Sequence, residues 1–553
     1  MNRSRRAGFV LSLMATTFLT TGRAADDPAG KTTSATSAIE LAKLKAQLEE
    51  QQKQIEQLSA MLTAQKRMMD QLSTPAAAPS TRMLPNLGEV ASTTPMVPAA
   101  PAAPTPRVFD PQAPAAEASS PLQLKIGDTT IMPVGFMDLT ASFKDKNAGG
   151  SLGTNFGSIP YNNAATAKLS EFRFSPQNSR IGFRVDGNWK GAHFIGYNEF
   201  DFLGTSGAFN MAVTNGAFVP RIRLYWVDVR KGQWEMLGGQ SWSMLTPNRK
   251  GISALPGDLF YSQVVDVNYV IGLTWTRQPG FRVLYHPSDK VTFGVSLENP
   301  DQYIGGSGGG PTVVLPAALT GLANSQLDNA TGSVQNIPNV HPDIIAKLAF
   351  DPNSKVHFEI AGIERTFKVW NPTANVYSTK AGGGGSFNGI FEFAKGIKFT
   401  TANYWSDGGG RYLFGNAPDL VLRADGSVSP IHAGGTIQGI EATVAKNWLL
   451  YAYWSGIYVG RNVSIDANGT SLVGYGYRGS SNSNNRTVQE ITFGFNQTLW
   501  KDGKYGALNL MGQYMYLFRE PWYVATGAPK AAHDNTIFVN LRYTLPGSAP
   551  AAK

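Results

Sequence analysis

Cysteine is absent from all 553 residues, so neither a disulfide framework nor a thiolate metal site is available. Long apolar runs are missing as well. After the first two dozen residues no stretch approaches the roughly 18 to 20 uninterrupted apolar residues of a membrane helix, which excludes helical spans and leaves a strand-built barrel open. Charged residues make up only 16% of the chain, against about 25% in soluble domains, and no Lys/Arg-rich run marks a nucleic-acid interface. The six histidines, His193, His286, His341, His357, His432 and His533, show no metal-ligand spacing and read as turn, wall or loop residues. No cofactor is implied, and no nucleophile motif marks an enzyme. Gly305–Gly310 and Gly382–Gly385 lie in no strand-to-helix turn, so they read as flexible external loops and not as phosphate cradles.

The chain does carry an export signal over residues 1–24: Arg3, Arg5 and Arg6, an apolar run from Ala7 to Leu19, and small residues at Gly22 and Ala24. Cleavage there removes four arginines and takes the formal charge from +9 to +5. From Leu41 onward, the residues at alternating spacings of three and four are Leu41, Leu44, Leu48, Gln51, Ile55, Leu58, Leu62, Gln65, Met69 and Leu72, apolar except for the two Gln layers. Such a seam predicts an α-helical coiled coil over residues 37–74, because its narrow apolar stripe needs partner helices. Ser37 and Glu40 offer a capping box and Pro75 a stop. The alternative is one amphipathic helix lying on a surface. Residues 75–121, rich in Pro, Ala, Ser and Thr, read as an extended tether.

From residue 122 to 545 the pattern changes to period two. Ile537, Val539, Leu541, Tyr543 and Leu545 alternate with Asn540, Arg542 and Thr544, and Ile491, Phe493 and Phe495 with Glu490, Thr492 and Asn496. These segments are joined alternately by short and long connections, seven short and eight long. That arrangement predicts an all-β transmembrane barrel of about 16 antiparallel strands, with lipid outside and both ends on the short-turn side. Keeping the alternation requires Arg277-Gln278-Pro279-Gly280 to be a bend inside one long strand from Tyr269 to Tyr285. Residues 546–553 form a tail without a terminal aromatic residue.

The third long connection, Ser243 to Asn268, is Gly- and Pro-bearing and flanked by arginine-rich strands, which makes it the candidate constriction of a channel. The inward sets include Arg180, Arg184, Arg221, Arg223, Arg282 and Arg542. Guanidinium groups stay charged and hold carboxylate or phosphate, so a ladder of them favours small anions. On the loop, Asp258 and Asp266 are candidates to face that wall. The competing reading is that these arginines pair with inward carboxylates such as Asp138, Glu199, Asp201 and Glu298 and merely stiffen the barrel.

Three short motifs, Gly239-Gln240-Ser241-Trp242-Ser243, Arg277-Gln278-Pro279 and Ser296-Leu297-Glu298-Asn299-Pro300, joined to an exported coiled coil, resemble the DcaP-like trimeric outer-membrane porins. The likeness spans coil and barrel and is most specific from Arg221 to Pro300. It implies a homotrimer in the outer membrane of a Gram-negative bacterium, a periplasmic coiled coil, an inward third loop, and passive uptake of small anions such as dicarboxylates. Lipid, a second copy of the chain and anionic solutes are the implied partners, with peptidoglycan a candidate for the coil. The Pro/Ala-rich tether and the tail depart from the family's pattern. A phosphate- or sugar-selective porin and a barrel-anchored adhesin are the alternatives.

Overall fold

A computed structural model describes residues 122–546, apart from 151, 205–217, 260–262, 267–268, 308–311, 331–336, 481, 483 and 503–504, and upstream of these only residue 52. The signal, the coiled coil, the linker up to 121 and all but the first residue of the tail lie outside the described residues.

One sheet closes on itself. Its strands are β1 (Thr129–Lys144), β2 (in two pieces, Glu171–Ser175 and Arg180–Trp189), β3 (Ala192–Gly204), β4 (Val219–Lys231), β5 (Trp234–Trp242), β6 (Arg277–Ser288), β7 (Val291–Glu298), β8 (Asp343–Asn353), β9 (Val356–Asn371), β10 (Val376–Ala394), β11 (Ile397–Asp407), β12 (His432–Ala445), β13 (Trp448–Val459), β14 (Asn485–Asp502), β15 (Gly506–Pro521) and β16 (Ala532–Thr544). Each is antiparallel to the next, and β16 returns to β1 with Thr544 opposite Phe136 and Thr536 opposite Lys144. A short strand, Leu124–Ile126, pairs with the start of β1 below this closure. The expected sixteen-stranded closed barrel is therefore observed, and closure pairs the edges that the first and last strands would otherwise expose.

Period two decides the two faces. On β16, Ile537, Val539 and Leu541 are exposed whereas Asn540, Arg542 and Thr544 are buried; Leu545, expected to continue the outer row, is buried at the strand's end. β4 breaks the alternation once. A register shift against β3 sets Glu199 opposite Leu224 and Phe200 opposite Ile222, leaving Arg223 as the extra residue. Ile222 and Tyr225 stay outside, while Arg223, Leu224 and Trp226 are buried.

Two expectations are corrected. β6 starts at Arg277, and residues 269–276 belong to the inward loop, with Val270, Ile271, Leu273 and Trp275 all buried. Their apolar character serves the lumen side and not lipid, a distinction that hydrophobicity alone does not make. Gly382–Gly385, expected in an external loop, lie within β10. Neighbouring side chains cover them: a Cβ on Gly382 would lie 2.9 Å from Phe367, and one on Gly384 2.7 Å from the Cβ of Ser406.

The buried apolar core lies inside the barrel, where long loops fold back over the lumen. Ile304, Leu319 and Leu322 from the β7–β8 connection join Tyr412, Leu413 and Leu420–Leu422 from the β11–β12 connection against Ile345, Ile363 and Phe367 of the wall. Leu420, Val421 and Leu422 are fully buried in a small hairpin with Val428–Pro430. Each such side chain contributes about 1.5–3 kcal/mol on burial.

Candidate functional site

The β5–β6 connection, residues 243–276, is fastened around the lumen. Its ends meet, the Ser243 N–H donating to Thr276 O at 2.9 Å. The Met244 N–H then donates to Glu298 of β7 at 2.7 Å, and Lys347 of β8, itself 2.8 Å from Glu359 of β9, donates to Thr246 O at 2.9 Å. Arg249 takes both oxygens of Glu441 on β12 at 2.7 and 3.0 Å. On the return, the Val265 N–H donates to Gln513 of β15 at 3.1 Å, and Arg542 of β16 donates to Val265 O at 2.7 Å. Tyr269 stacks on Phe538 with ring centroids 4.6 Å apart and donates to Asn178 at 2.8 Å. The Ile271 N–H donates to Glu490 of β14 at 3.1 Å. Trp275 stacks on Trp242 at 3.6 Å, its N–H donating to Tyr412 O at 2.9 Å. Carboxylate acceptors or cationic donors take part in most of these bonds, and charge-assisted bonds of this kind are about twice as strong as neutral ones.

Gly272 makes the closest approach. It has φ +95°, and a Cβ there would stand 2.5 Å from Thr436 O, 2.8 Å from Gly456 O and 2.9 Å from Gly456 N. Backbone meets backbone, which only glycine permits.

The wall arginines lie close together and are largely paired. Arg223 bonds Glu199 at 2.9 Å and Asp201 at 2.7 Å; Arg221 meets the same Asp201 at 2.7 Å. Arg180 stands 2.9 Å from Asp266 and 3.6 Å from Glu199, so Asp266 does face this wall. Arg184 pairs with Asp186 at 2.5 Å, and Arg542 with Asp138 at 2.7 Å. Arg282 donates to Ser241 Oγ at 2.5 Å and Trp242 O at 3.2 Å. On β2, β4 and β6, then, Arg180, Arg184, Arg221 and Arg223 meet four carboxylates, Asp186, Glu199, Asp201 and Asp266, and Arg282 has the charges of Glu298, Glu235 and Asp228 nearby. Asp258 stays with its own loop, accepting from Ser253 Oγ at 2.7 Å. Burial pushes its carboxyl up to about 6, against the pull of Ser253, Lys250 and Arg184.

Sequence reasoning passed over Arg277, whose guanidinium lies 5.5 Å over the Trp242 ring and donates to Ile222 O at 3.3 Å. It also passed over Arg365 and Arg411, which tie the β11–β12 connection to the wall: Arg365 bonds Asp343 at 3.0 Å and Asp419 at 2.9 Å, and Arg411 bonds Asp343 at 3.0 Å. Arg365 shares the inward parity of Glu359 and Phe367, and that signal was there to be read.

At the short-turn end two cavities lie beneath the loop. One of about 110 Å³ is lined by both signs of charge, among them Arg184, Asp228, Glu235 and Asp258. The other, of about 510 Å³, is lined by Lys290, Lys355, Lys398, Asp289, Asp351 and His357, among others. Five of the six histidines pair with single carboxylates or pairs of them, as His286 with Glu235 at 2.9 Å and His357 with Asp351 at 2.9 Å, whereas His533 lies beside the Tyr516 ring. Among the described residues no group of three or more His, Cys, Asp or Glu is placed to hold a metal ion.

No family model matches the chain, and no curated protein matches it. Solved structures do. The outer membrane channel DcaP of Acinetobacter baumannii is similar with a TM-score of 0.53 at 16% identity, over 76% of this chain and 98% of that one. An anion-selective porin from Comamonas acidovorans follows with a TM-score of 0.42 at 13% identity, over 75% and 99%. The fold is thus shared with the DcaP channel, whose family the sequence motifs resemble.

Proposed function

We propose that the chain is an outer-membrane porin, a passive channel for small hydrophilic solutes with a preference for anions such as dicarboxylates. The observation that carries this reading is the loop 243–276 bolted across the inside of a closed sixteen-stranded barrel, which turns a wide lumen into a constricted one. A site built this way excludes large solutes by size and reads small ones by charge. The anion preference is supported by the lysines at the short-turn end. Reversal potentials in a planar bilayer under a salt gradient test it. Anion selectivity is expected; cation selectivity overturns the preference, and absence of conductance overturns the channel in favour of an adhesin.

The same reading places the chain in a Gram-negative outer membrane with its coil in the periplasm, as a homotrimer. Self-association has its own support on the outer wall. Asn403 of β11 accepts from Thr436 at 2.8 Å and from Gln438 at 2.9 Å, both on β12. These groups, with Gln489 of β14, share the outward parity of Ile440 and Phe493. A cavity of about 380 Å³ lies there, floored by Gly434 and Gly456 and flanked by Trp405, Trp454 and Tyr458. Amides turned toward hydrocarbon are costly, whereas small and polar residues are what membrane segments use to meet each other.

A further inference from the structure

The cavity of about 510 Å³ at the short-turn end is distinguished by which of its charges are already spent. Four lysines line it: Lys250 from the loop, and three that each come from a different strand junction, Lys290 between β6 and β7, Lys355 between β8 and β9, and Lys398 at the start of β11. Of the acids near them, Glu441, Glu359 and Asp351 have cationic or histidine partners of their own, whereas Glu392 keeps its charge opposite Lys398. Glu441 stands opposite Lys398 in register, yet both its oxygens are held by Arg249 from the loop, and Tyr453 donates to it at 2.8 Å. Glu392, the residue opposite Lys398 on the other side, accepts the Gly396 N–H at 3.1 Å. Asp351 accepts the Gly251 N–H at 2.9 Å and lies 2.9 Å from His357. Glu359 holds Lys347 at 2.8 Å. Asp289 and Glu392 are the acids that remain beside the three junction lysines.

This contrasts with the arginine wall. There each guanidinium except Arg282 and Arg277 shares a carboxylate, and a paired charge shapes the local field without attracting a second anion strongly. An excess of ammonium groups in a recess with polar turn residues, Asn353 and Ser354, does attract one.

The geometry points to an anion-binding vestibule formed by Lys290, Lys355 and Lys398 on the short-turn side of the constriction, taking small oxyanions that carry two or more negative charges. It rests on the anion preference proposed above and names where that preference resides. The three ammonium groups come from separate strand ends, so they present a spread of charge suited to a dicarboxylate or a phosphate rather than a single point for a monoanion. Ions leaving the constriction accumulate here, and ions offered from this side bind here first.

The test uses the full-length protein in planar bilayers, with reversal potentials in a KCl gradient and block of the chloride current by succinate added to each side in turn. Three proteins are compared: the native chain, the triple variant Lys290→Gln/Lys355→Gln/Lys398→Gln, and Arg221→Gln. In the native channel, succinate and inorganic phosphate are expected to block from the short-turn side at concentrations roughly tenfold below those needed by acetate. The triple variant should lose that block and move the anion-to-cation permeability ratio toward unity, while Arg221→Gln keeps the short-turn-side block. Lys355→Glu alone, at an exposed turn, should weaken the block more than Lys355→Gln, a readout independent of the triple variant's assembly. Equal block by acetate, or a triple variant with native block and native permeability ratio, overturns the vestibule. A native channel that prefers cations overturns instead the anion preference beneath it, before any variant is measured.

Discussion

Replacing Gly272 by alanine tests whether the return arm of the loop is what narrows the lumen. The added methyl would stand 2.5 Å from Thr436 O and 2.8 Å from Gly456 O, atoms of wall strands that pairing on both sides holds in place. The residue must also keep φ +95°, which costs a non-glycine residue about 1–3 kcal/mol. Relief comes only by lifting the arm. That forfeits the Ile271 N–H bond to Glu490, worth about 1.5–3 kcal/mol as a bond to a charged group. Losing that bond is a cost of lifting in both proteins, so the strain of about 1–3 kcal/mol that alanine adds to the closed arrangement shifts the balance, and the lifted arm should become about 5- to 150-fold more populated. Single-channel recordings are expected to show a larger mean conductance and more current noise. Gly469→Ala supplies the control: it also has positive φ, +75°, but meets nothing within 4 Å, so it bears strain without displacing the arm. If the Gly272→Ala channel matches the Gly469→Ala channel in conductance and noise, the arm does not set the constriction.

Asp258 gives a pH dependence. Its carboxyl is raised to about 6, so the native fold holds this proton more tightly than the unfolded chain, whose value is about 3.9. Its contribution to stability is therefore full below that value and is lost as pH rises through 6. Its negative charge at the constriction disappears over the same window on acidification. Anion preference should rise between pH 7 and pH 5, and Asp258→Asn should shrink that rise. Lys347→Met strands the buried Glu359 carboxylate and should cost about 3–5 kcal/mol, seen as a lower temperature for conversion of the folded band on semi-native gels; Lys347→Met/Glu359→Gln should recover most of it. Because the chain has no cysteine, a single Gln489→Cys is a clean probe of the outer wall. Oxidation in native membranes should cross-link it between copies, whereas Leu541→Cys on β16 should stay monomeric; ready reaction of Gln489→Cys with a lipid-soluble thiol reagent and no cross-link would show that lipid covers that patch.

The barrel was legible because its signal is repetitive. Period two recurs in strand after strand, and the alternation of short and long connections counts sixteen without any contact being known. Inward parity also put Arg180, Arg184, Arg223, Arg282 and Arg542 in the lumen. What failed were the places where burial stopped meaning lipid. Val270, Ile271, Leu273 and Trp275 look like an outward strand face, yet Ile271 joins the interior cluster of Tyr412 and Phe538, and Val270, Leu273 and Trp275 join that of Trp242 and Ile437. Hydropathy reports that a side chain leaves water, not which medium receives it. Gly382–Gly385 misled in the opposite sense, since glycine marks both a loop and a wall crowded by its neighbours. The pairing of each arginine depends on contacts between residues far apart in the chain, Arg180 with Asp266 and Arg249 with Glu441 among them, and no local pattern encodes those.

Those long-range pairs also assign different work to the two kinds of cation. Arg249 neutralises Glu441 and in doing so both fastens the loop to β12 and removes one of the two acids in register with Lys398. One ion pair thus serves two ends: it fixes the constriction and leaves the ammonium group just beyond it with one facing acid fewer. Arg249→Gln separates the two. It should loosen the loop, raising current noise, and also free Glu441 to take Lys398, lowering the anion preference even if conductance increases. A widened pore by itself predicts weaker selectivity with stronger salt current and unchanged block by succinate. Loss of the short-turn-side block in Arg249→Gln, restored by Arg249→Gln/Glu441→Gln, would show that the loop's anchor also sets the charge of the vestibule. Failure of the second substitution to restore the block would refute that coupling.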